Sequence, residues 1–307
     1  MEDYDTQLGP FFRHIRKRRG LKIRDVASGI SETTLSRFER GQIDLTIAKL
    51  APSVEALEVD PEDLFLRSAQ SKRAFTNALQ QVNTALVNAD QAAAEEAVNA
   101  YRSATAHRDL PLRHFDLLIL NSVARSITDP LAYMHEDEQR EVLNFLARDD
   151  DWHRFEYMLL GHLIYFMDAH AAERCLRIMH RSYTQRKHPL DDTCEYAEAL
   201  LSAMRRPLAE RSLAMADEIS GMLADLGDDP LAANFNYRRS LALDVLAYLK
   251  QPTSARLDAV QTTLNAMALT GNDTIANSDA RWLQLIRVPV SNVGGQQDIA
   301  EQIEAES

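Results

Sequence analysis

Small or planar hydrogen-bonding side chains are concentrated between residues 31 and 37, within the segment SETTLSR. They are Ser31, Thr33, Thr34, Ser36 and Arg37. Hydroxyl and guanidinium groups bind phosphates and base edges when a helix enters the major groove of DNA. On a helix whose apolar residues, Leu35 and Phe38, pack inward, this polar set would lie outside. The segment therefore predicts a helix that contacts DNA.

Basic residues surround this helix. Residues 8–41 contain nine Lys and Arg and three Asp and Glu, a net charge of +6, whereas the whole chain carries −12. Neutralisation of phosphates supplies most non-specific affinity for DNA, so a basic patch in an acidic protein favours a DNA contact. We expect Arg13, Arg16, Lys17 and Arg37 to contact phosphates or bases. The alternative is an amphipathic helical hairpin with a solvated basic face.

Three short helices would position these side chains. Apolar spacing predicts the first over residues 8–19 and the second over residues 22–27, followed by a turn at Ser28 and Gly29. Ser31 is a favourable N-cap for the third helix, and Gly41 is a favourable stop. We expect a fourth helix over residues 44–58 and a fifth beginning at Pro61.

This order of helices resembles the helix-turn-helix of the xenobiotic-response-element class of bacterial regulators, and more narrowly that of the Rgg/GadR/MutR family. The matching residues are Leu8-Gly9, Arg13, Ile15-Arg16-Lys17, Gly20, Asp25-Val26-Ala27, Ser31, the segment Leu35 to Gly41, Asp44-Leu45-Thr46 and Pro61 to Phe65. The turn after Ala27 is one residue shorter than in the family. This difference leaves open which residues of the third helix face the bases.

The remainder of the chain is predicted to consist of long helices. Pro, Asp and Gly punctuation separates helical patterns at about residues 69–88, 91–107, 111–127, 135–148, 152–167, 170–187, 189–206, 208–226, 230–250, 253–270 and 273–287. Paired, they give a repeat of roughly 40 residues, the length of a tetratricopeptide-like hairpin. Trp152 to His162 resembles the central helix of the Rgg-like proteins and is apolar nearly all round.

The predicted fold is therefore all-α. A five-helix, lambda-repressor-like domain over residues 1–67 would precede a right-handed tetratricopeptide-like solenoid over residues 68–290. The polar tail, residues 291–307, has no core-forming pattern and is predicted to be disordered. The resemblance implies that the second domain binds a short hydrophobic signalling peptide. We also expect this domain to dimerise, because pairing of the last repeats would bury the end of the solenoid.

Polar residues on the first helices of successive hairpins are the candidates for ligand binding, because first helices line the concave groove of such solenoids. They are Asn121, Arg154, Tyr157, His162, Tyr196, Asn234, Tyr237 and Arg238. Asn could bind the backbone of an extended peptide, and Arg its C-terminal carboxylate. The alternatives are hydrogen bonding within hairpins and exposure to solvent.

No arrangement of residues predicts catalysis. The chain has no GxGxxG, Walker or GxSxG motif, and His107-Arg108-Asp109 lacks the other kinase motifs. The two cysteines, Cys175 and Cys194, have no zinc-ligand spacing and are expected to be buried thiols in a reducing cytoplasm. We therefore expect a cytoplasmic protein that is not an enzyme, with no cofactor, metal or membrane span.

Eight of the nine histidines lie between residues 107 and 188. This cluster is consistent either with pH sensing or with ordinary surface and core positions.

Taken together, the features of the whole sequence predict a homodimeric transcription regulator that binds a near-palindromic operator in double-stranded DNA. It would be controlled by a peptide and modulated by pH. The alternative is a helical-repeat interaction scaffold, or an antitoxin-like repressor, without a peptide ligand.

Overall fold

A computed structural model describes residues 8–60, 70–185, 190–226 and 233–293. Within these ranges the protein is helical and contains no strand, so the all-α prediction is confirmed. The predicted fifth helix at Pro61, His188 and most of the predicted tail lie outside the described residues. No helix in the described ranges combines the length and apolar character needed to cross a bilayer.

The helices have the following bounds. They are α1 Leu8–Arg18, α2 Ile23–Val26, α3 Glu32–Glu39, α4 Ile47–Ala56, α5 Gln70–Asn88, α6 Gln91–Thr105, α7 Arg113–Thr128, α8 Glu136–Leu146, α9 Arg154–Leu163, α10 Ala169–Gln185, α11 Leu190–Glu210, α12 Leu213–Asp225, α13 Ala233–Lys250, α14 Ser254–Leu269 and α15 Asp273–Leu285. A short 3-10 helix, Ile164–Phe166, follows α9.

The chain divides into two compact units. The smaller comprises Met1–Gln81 with Asn99–Asp109, and the larger comprises Val82–Val98 with Leu110–Ser307. The domain boundaries expected near residues 67 and 290 stay predictions.

In the smaller unit, helices α1 to α4 enclose one hydrophobic core. Phe12 on α1 and Phe38 on α3 meet edge to face with ring centroids 6.0 Å apart, and Leu35 is fully buried beside them. Gly9 allows this approach, because a Cβ at that position would lie 1.9 Å from the carbonyl oxygen of Phe38. The core therefore fixes how α3 packs against α1.

In the larger unit, α11 is the central helix and packs against α9, α10, α12 and α13. Its Leu200 is fully buried, as is Leu160 on α9. A Cβ on Gly161 would lie 3.4 Å from Ala199, so these two helices are close together there. The segment predicted to be central, Trp152 to His162, thus contributes α9 to the core.

The predicted break at Pro207 is wrong, because α11 continues to Glu210. Proline lacks an N–H and so removes one helical hydrogen bond, but this cost is local. The helix ends one turn later, where Arg211 adopts a φ of 61° and its guanidinium donates to the carbonyl of Leu208 at 2.8 Å. The buried side chain of Arg206 also fixes this turn by donating to the carbonyl oxygen of Leu131 at 2.9 Å.

Candidate nucleic-acid interface and ligand groove

Helix α3 begins where the sequence predicts. The Ser31 hydroxyl accepts a hydrogen bond from the backbone N–H of Thr34 at 3.1 Å and lies 2.8 Å from the Thr34 hydroxyl. This cap satisfies a backbone donor that the first helical turn leaves without a partner. Because Leu35 and Phe38 are buried, the opposite face of α3 is presented outward.

Most of the predicted DNA contacts lie on accessible surface. Ser31, Thr33, Arg37, Arg13 and Lys17 are exposed, and Thr34 and Ser36 are partly buried. Within the described residues, the side chains of Arg13, Lys17 and Arg37 have no hydrogen-bonding or ionic partner. They are therefore available to a polyanion.

Arg16 is the exception and corrects the prediction. Its Nε donates to Glu39 Oε1 at 2.5 Å and its Nη2 to Oε2 at 2.7 Å, while Nη1 donates to the carbonyl of Leu21 at 2.7 Å. Only 6% of Arg16 and 2% of Glu39 is exposed. The hydrogen bond with Glu39 raises the pKa of Arg16. Arg16 thus ties α1 to the end of α3, and its guanidinium is not on the accessible surface.

The sequence contained a signal for this ion pair that charge counting missed. Arg16 lies four residues after the buried Phe12, and Glu39 lies four residues after the buried Leu35. Residues four apart lie on the same face of a helix, so both charges belong to the inward faces. Since the pair neutralises itself, the patch remains net basic by the same amount.

The larger unit contains two adjoining cavities that together form a groove. Their volumes are about 460 and 500 Å³, and both are lined by residues of α5, α9, α11 and α15. The polar residues common to the two are Asn83, His162, Ser202, Arg205 and Ser278. Leu86 and Val87 add an apolar strip. We call this continuous surface the α9–α11 groove.

Two of the eight predicted ligand residues, His162 and Arg238, line the α9–α11 groove with side chains that are only partly accessible. Burial lowers the pKa of His162, while the nearby Glu195 opposes this shift. Arg238 lies 3.8 Å from Glu198, whose pKa is raised by burial. A largely buried imidazole and a partly buried carboxylate are therefore part of the groove wall.

Two predicted ligand residues are corrected by their burial. Tyr157 borders one of the cavities but is 0% exposed, and its hydroxyl lies 3.1 Å from the hydroxyl of Ser182. Tyr196 is 1% exposed, and its hydroxyl lies 2.8 Å from Nδ1 of His180. Burial raises the pKa of Tyr196. Tyrosine is amphipathic, so its position on an apolar helix did not distinguish a core ring from a ligand contact.

The remaining four candidates lie outside the walls of the two cavities. Arg154 is exposed and binds Glu195 at 3.0 Å, while Tyr237 donates to Asp279 Oδ2 at 3.1 Å. Asn121 is partly buried and Asn234 exposed. The groove instead uses Arg205, Arg281 and other residues that no local pattern distinguished, because they come together only when α11 and α15 pack.

The described residues contain no group of His, Cys, Asp and Glu side chains arranged to hold a metal ion. Cys175 is buried and Cys194 is exposed, and both are free thiols. The prediction that both thiols are buried is therefore wrong for Cys194.

Residues 7–65 match a family described as a helix-turn-helix domain. No curated protein is detectably similar to the sequence. The SHP pheromone receptor Rgg2 of Streptococcus dysgalactiae is 16% identical, with a TM-score of 0.68 and 92% of this chain and 100% of that chain covered.

Two further solved structures are similar over most of their length. A Listeria monocytogenes EGD-e protein described as a transcriptional regulator is 13% identical, with a TM-score of 0.72 and coverages of 92% and 97%. PrgX in its complex with cCF10 is 13% identical, with a TM-score of 0.62 and coverages of 92% and 93%. At sequence identities this low, the structural similarity establishes the fold alone. The protein therefore carries a helix-turn-helix domain and has the fold of the Rgg-type regulators, as the sequence resemblance predicted.

Proposed function

We propose that the protein is a cytoplasmic, homodimeric transcription regulator that binds a specific operator through α3. The observation that carries this proposal is the outward face of that helix. Arg37 and Thr33 are exposed there, on a helix held by a buried ion pair and a side-chain cap. A rigidly held polar helix with basic flanks matches the requirements of base contact in the major groove.

The dimer is proposed on grounds of symmetry. One helix of this length contacts only a few base pairs, so helix-turn-helix proteins reach useful specificity by binding two half-sites. The half-sites then repeat with the twofold symmetry of the protein, and the operator is near-palindromic. The acidic remainder of the chain disfavours loose coating of DNA and leaves binding dependent on correct placement of two modules.

We further propose that a short apolar peptide in the α9–α11 groove controls DNA binding. The groove has the size of a ligand site and combines apolar walls with a few polar groups. Two proteins with the same fold support this proposal, since one is named as a pheromone receptor and PrgX has been solved in a complex with cCF10.

A gel shift with the DNA upstream of the protein's own operon, at two salt concentrations, tests the DNA-binding proposal. Wild-type protein should bind this fragment more tightly than a scrambled one. Arg37→Ala should weaken specific binding by about 1–3 kcal/mol, since it removes a guanidinium that contacts a base. Arg140→Ala is the matched control, because Arg140 is an exposed arginine of α8 in the larger unit.

Equal affinity for the operon fragment and the scrambled fragment would count against sequence-specific binding. If Arg37→Ala and Arg140→Ala bind alike, then α3 is not the helix that contacts the bases. Lys17→Ala should differ from Arg37→Ala by weakening binding to all sequences equally and lowering the salt slope by about one.

A further inference from the structure

The two ends of the α9–α11 groove differ in charge. The end lined by α7 and the last turns of α15, which we call the cationic end, has apolar walls from Val123, Ile127, Phe166 and Leu285. Among the described residues, its charged side chains are those of Arg205 and Arg281, and no carboxylate lines it. An apolar surface with only positive charges favours the negatively charged terminus of an otherwise apolar ligand.

Both arginines of the cationic end have binding capacity left. Arg281 is exposed, donates to the carbonyl oxygen of Val87 at 3.0 Å and forms no ion pair within the described residues. Arg205 lies 4.4 Å above the ring of Trp282 and 3.9 Å from Asp279 Oδ1, at the limit of an ion pair. The indole N–H of Trp282 is buried here without an acceptor in the described part of the chain. All three groups are donors.

The opposite end, which we call the acidic end, is lined by three carboxylates, those of Glu195, Glu198 and Asp279. Arg238 lies among them, and Arg205 is shared with the cationic end. Glu198 is partly buried, and its contact with Arg238 is long, at 3.8 Å. The Nε of Arg238 is itself buried and has no acceptor in the part of the chain that the structure describes. Burial raises the pKa of Glu198 despite Arg238, which shows that the arginine only partly compensates the lost hydration. A second cation placed here would be stabilised.

We propose that the groove holds a peptide in one direction, with its free carboxylate at Arg205 and Arg281 and its free amine at Glu195 and Glu198. This inference rests on the proposed control by a peptide. A peptide with free termini carries one positive and one negative charge separated by its length, which is the arrangement the groove complements. Asn83 and Ser202, between the two ends, offer groups that can bind the peptide backbone.

The probe is a synthetic pool of short peptides with Leu, Ile, Val, Phe and Ser at randomised positions. It is made in four forms, with both termini free, the C-terminus amidated, the N-terminus acetylated, or both blocked. Retention by the full-length protein is measured by mass spectrometry after equilibrium dialysis. Blocking either terminus should reduce retention about tenfold, since each removes one charge-assisted contact. Blocking both should reduce it further.

Substitutions identify which end holds which terminus. In the Arg281→Gln variant, amidation of the C-terminus should reduce peptide retention little further, whereas acetylation of the N-terminus should still reduce it about tenfold. Glu198→Gln should show the reverse pattern. Arg140→Gln and Glu173→Gln are the matched controls, because both residues are exposed and lie outside the groove. The comparison of peptide forms on one protein does not depend on how a substitution affects folding.

Three outcomes would overturn the inference. Equal retention of all four forms would show that the groove does not bind the termini. An amidation penalty that is as large on Arg281→Gln as on the wild type would place the carboxylate elsewhere. Retention of no form would reject peptide control as well, while specific operator binding in the gel shift would leave the DNA-binding proposal intact.

Discussion

Among single residues, Arg16 shows how a basic side chain in a helix-turn-helix domain can stabilise the fold. Each of its three guanidinium nitrogens donates a hydrogen bond, two to Glu39 and one to the carbonyl of Leu21, so it holds α3 against α1. A buried ion pair contributes little compared with an apolar pair, but removal of one partner leaves an uncompensated charge. Its role is therefore best tested by breaking it from one side.

Glu39→Ala should destabilise the smaller unit by about 3 kcal/mol, because it leaves Arg16 charged and buried. Hydrogen exchange of the backbone amides in α1 and α3 measures this as a lower free energy of local opening. Glu32→Ala, at the exposed start of α3, is the control and should change the opening free energy far less. Unchanged protection in Glu39→Ala would show that the pair does not hold the two helices together.

The burial of His162 predicts that the stability of the protein depends on pH. Burial lowers its pKa in the folded protein, so the unfolded chain binds the proton more readily as pH falls below about 6.5. The contribution of His162 to stability is therefore complete above that pH and is lost as pH falls through its lowered folded pKa. The free energy of unfolding should drop between about pH 7.5 and 5.5, and it should drop less in His162→Gln.

Exposed histidines supply the comparison for this test. His135→Gln, at the N-terminus of α8, should retain the wild-type loss of stability on acidification. Operator affinity measured at the same two pH values tests whether protonation of His162 in the groove also changes DNA binding. Equal wild-type and His162→Gln stability curves would remove His162 from any pH response.

Among the helices, the contact of α1 with α3 depends on one absent side chain. Gly9→Ala would bring a methyl group into steric clash with the backbone carbonyl of Phe38. A backbone atom cannot move aside as the end of a flexible side chain can. The substitution should force the helices apart and destabilise the smaller unit by about 1–3 kcal/mol. Local hydrogen exchange in α1 and α3 provides the measurement.

Gly221→Ala is the matched control, since Gly221 also lies within a helix but a Cβ there would meet nothing within 4 Å. Alanine is the better helix former by about 0.5–1 kcal/mol, so α12 should become more stable. If Gly9→Ala were also stabilising, the close approach of α1 and α3 would be contradicted.

The positions of these helices were largely predictable. The cap at Ser31 and the punctuation between repeats act over one or two turns, and most of the observed bounds lie within a few residues of the predicted ones. Pro207 failed as a boundary for a physical reason. One lost hydrogen bond does not end a helix whose buried residues, such as Leu208, continue the packed face.

Across the whole chain, the α9–α11 groove is built from α5, α9, α11 and α15, which are far apart in the sequence. The prediction that polar residues on the first helix of each hairpin line the groove identified His162 and Arg238. It missed Arg205 and Arg281, which give the groove its positive end. This prediction treats each repeat as equivalent, whereas the charge of a groove depends on which particular residues of distant helices meet.

The sequence by itself determined the all-α class, the capped helix α3 and the basic patch. All of these follow from interactions between residues a few positions apart and from counts of charge. Only the tertiary structure decided that Arg16 is neutralised by Glu39, that Tyr157 and Tyr196 belong to the core, and that opposite charges line the two ends of one groove. These outcomes depend on contacts between residues distant in the chain, which the packing of whole helices selects.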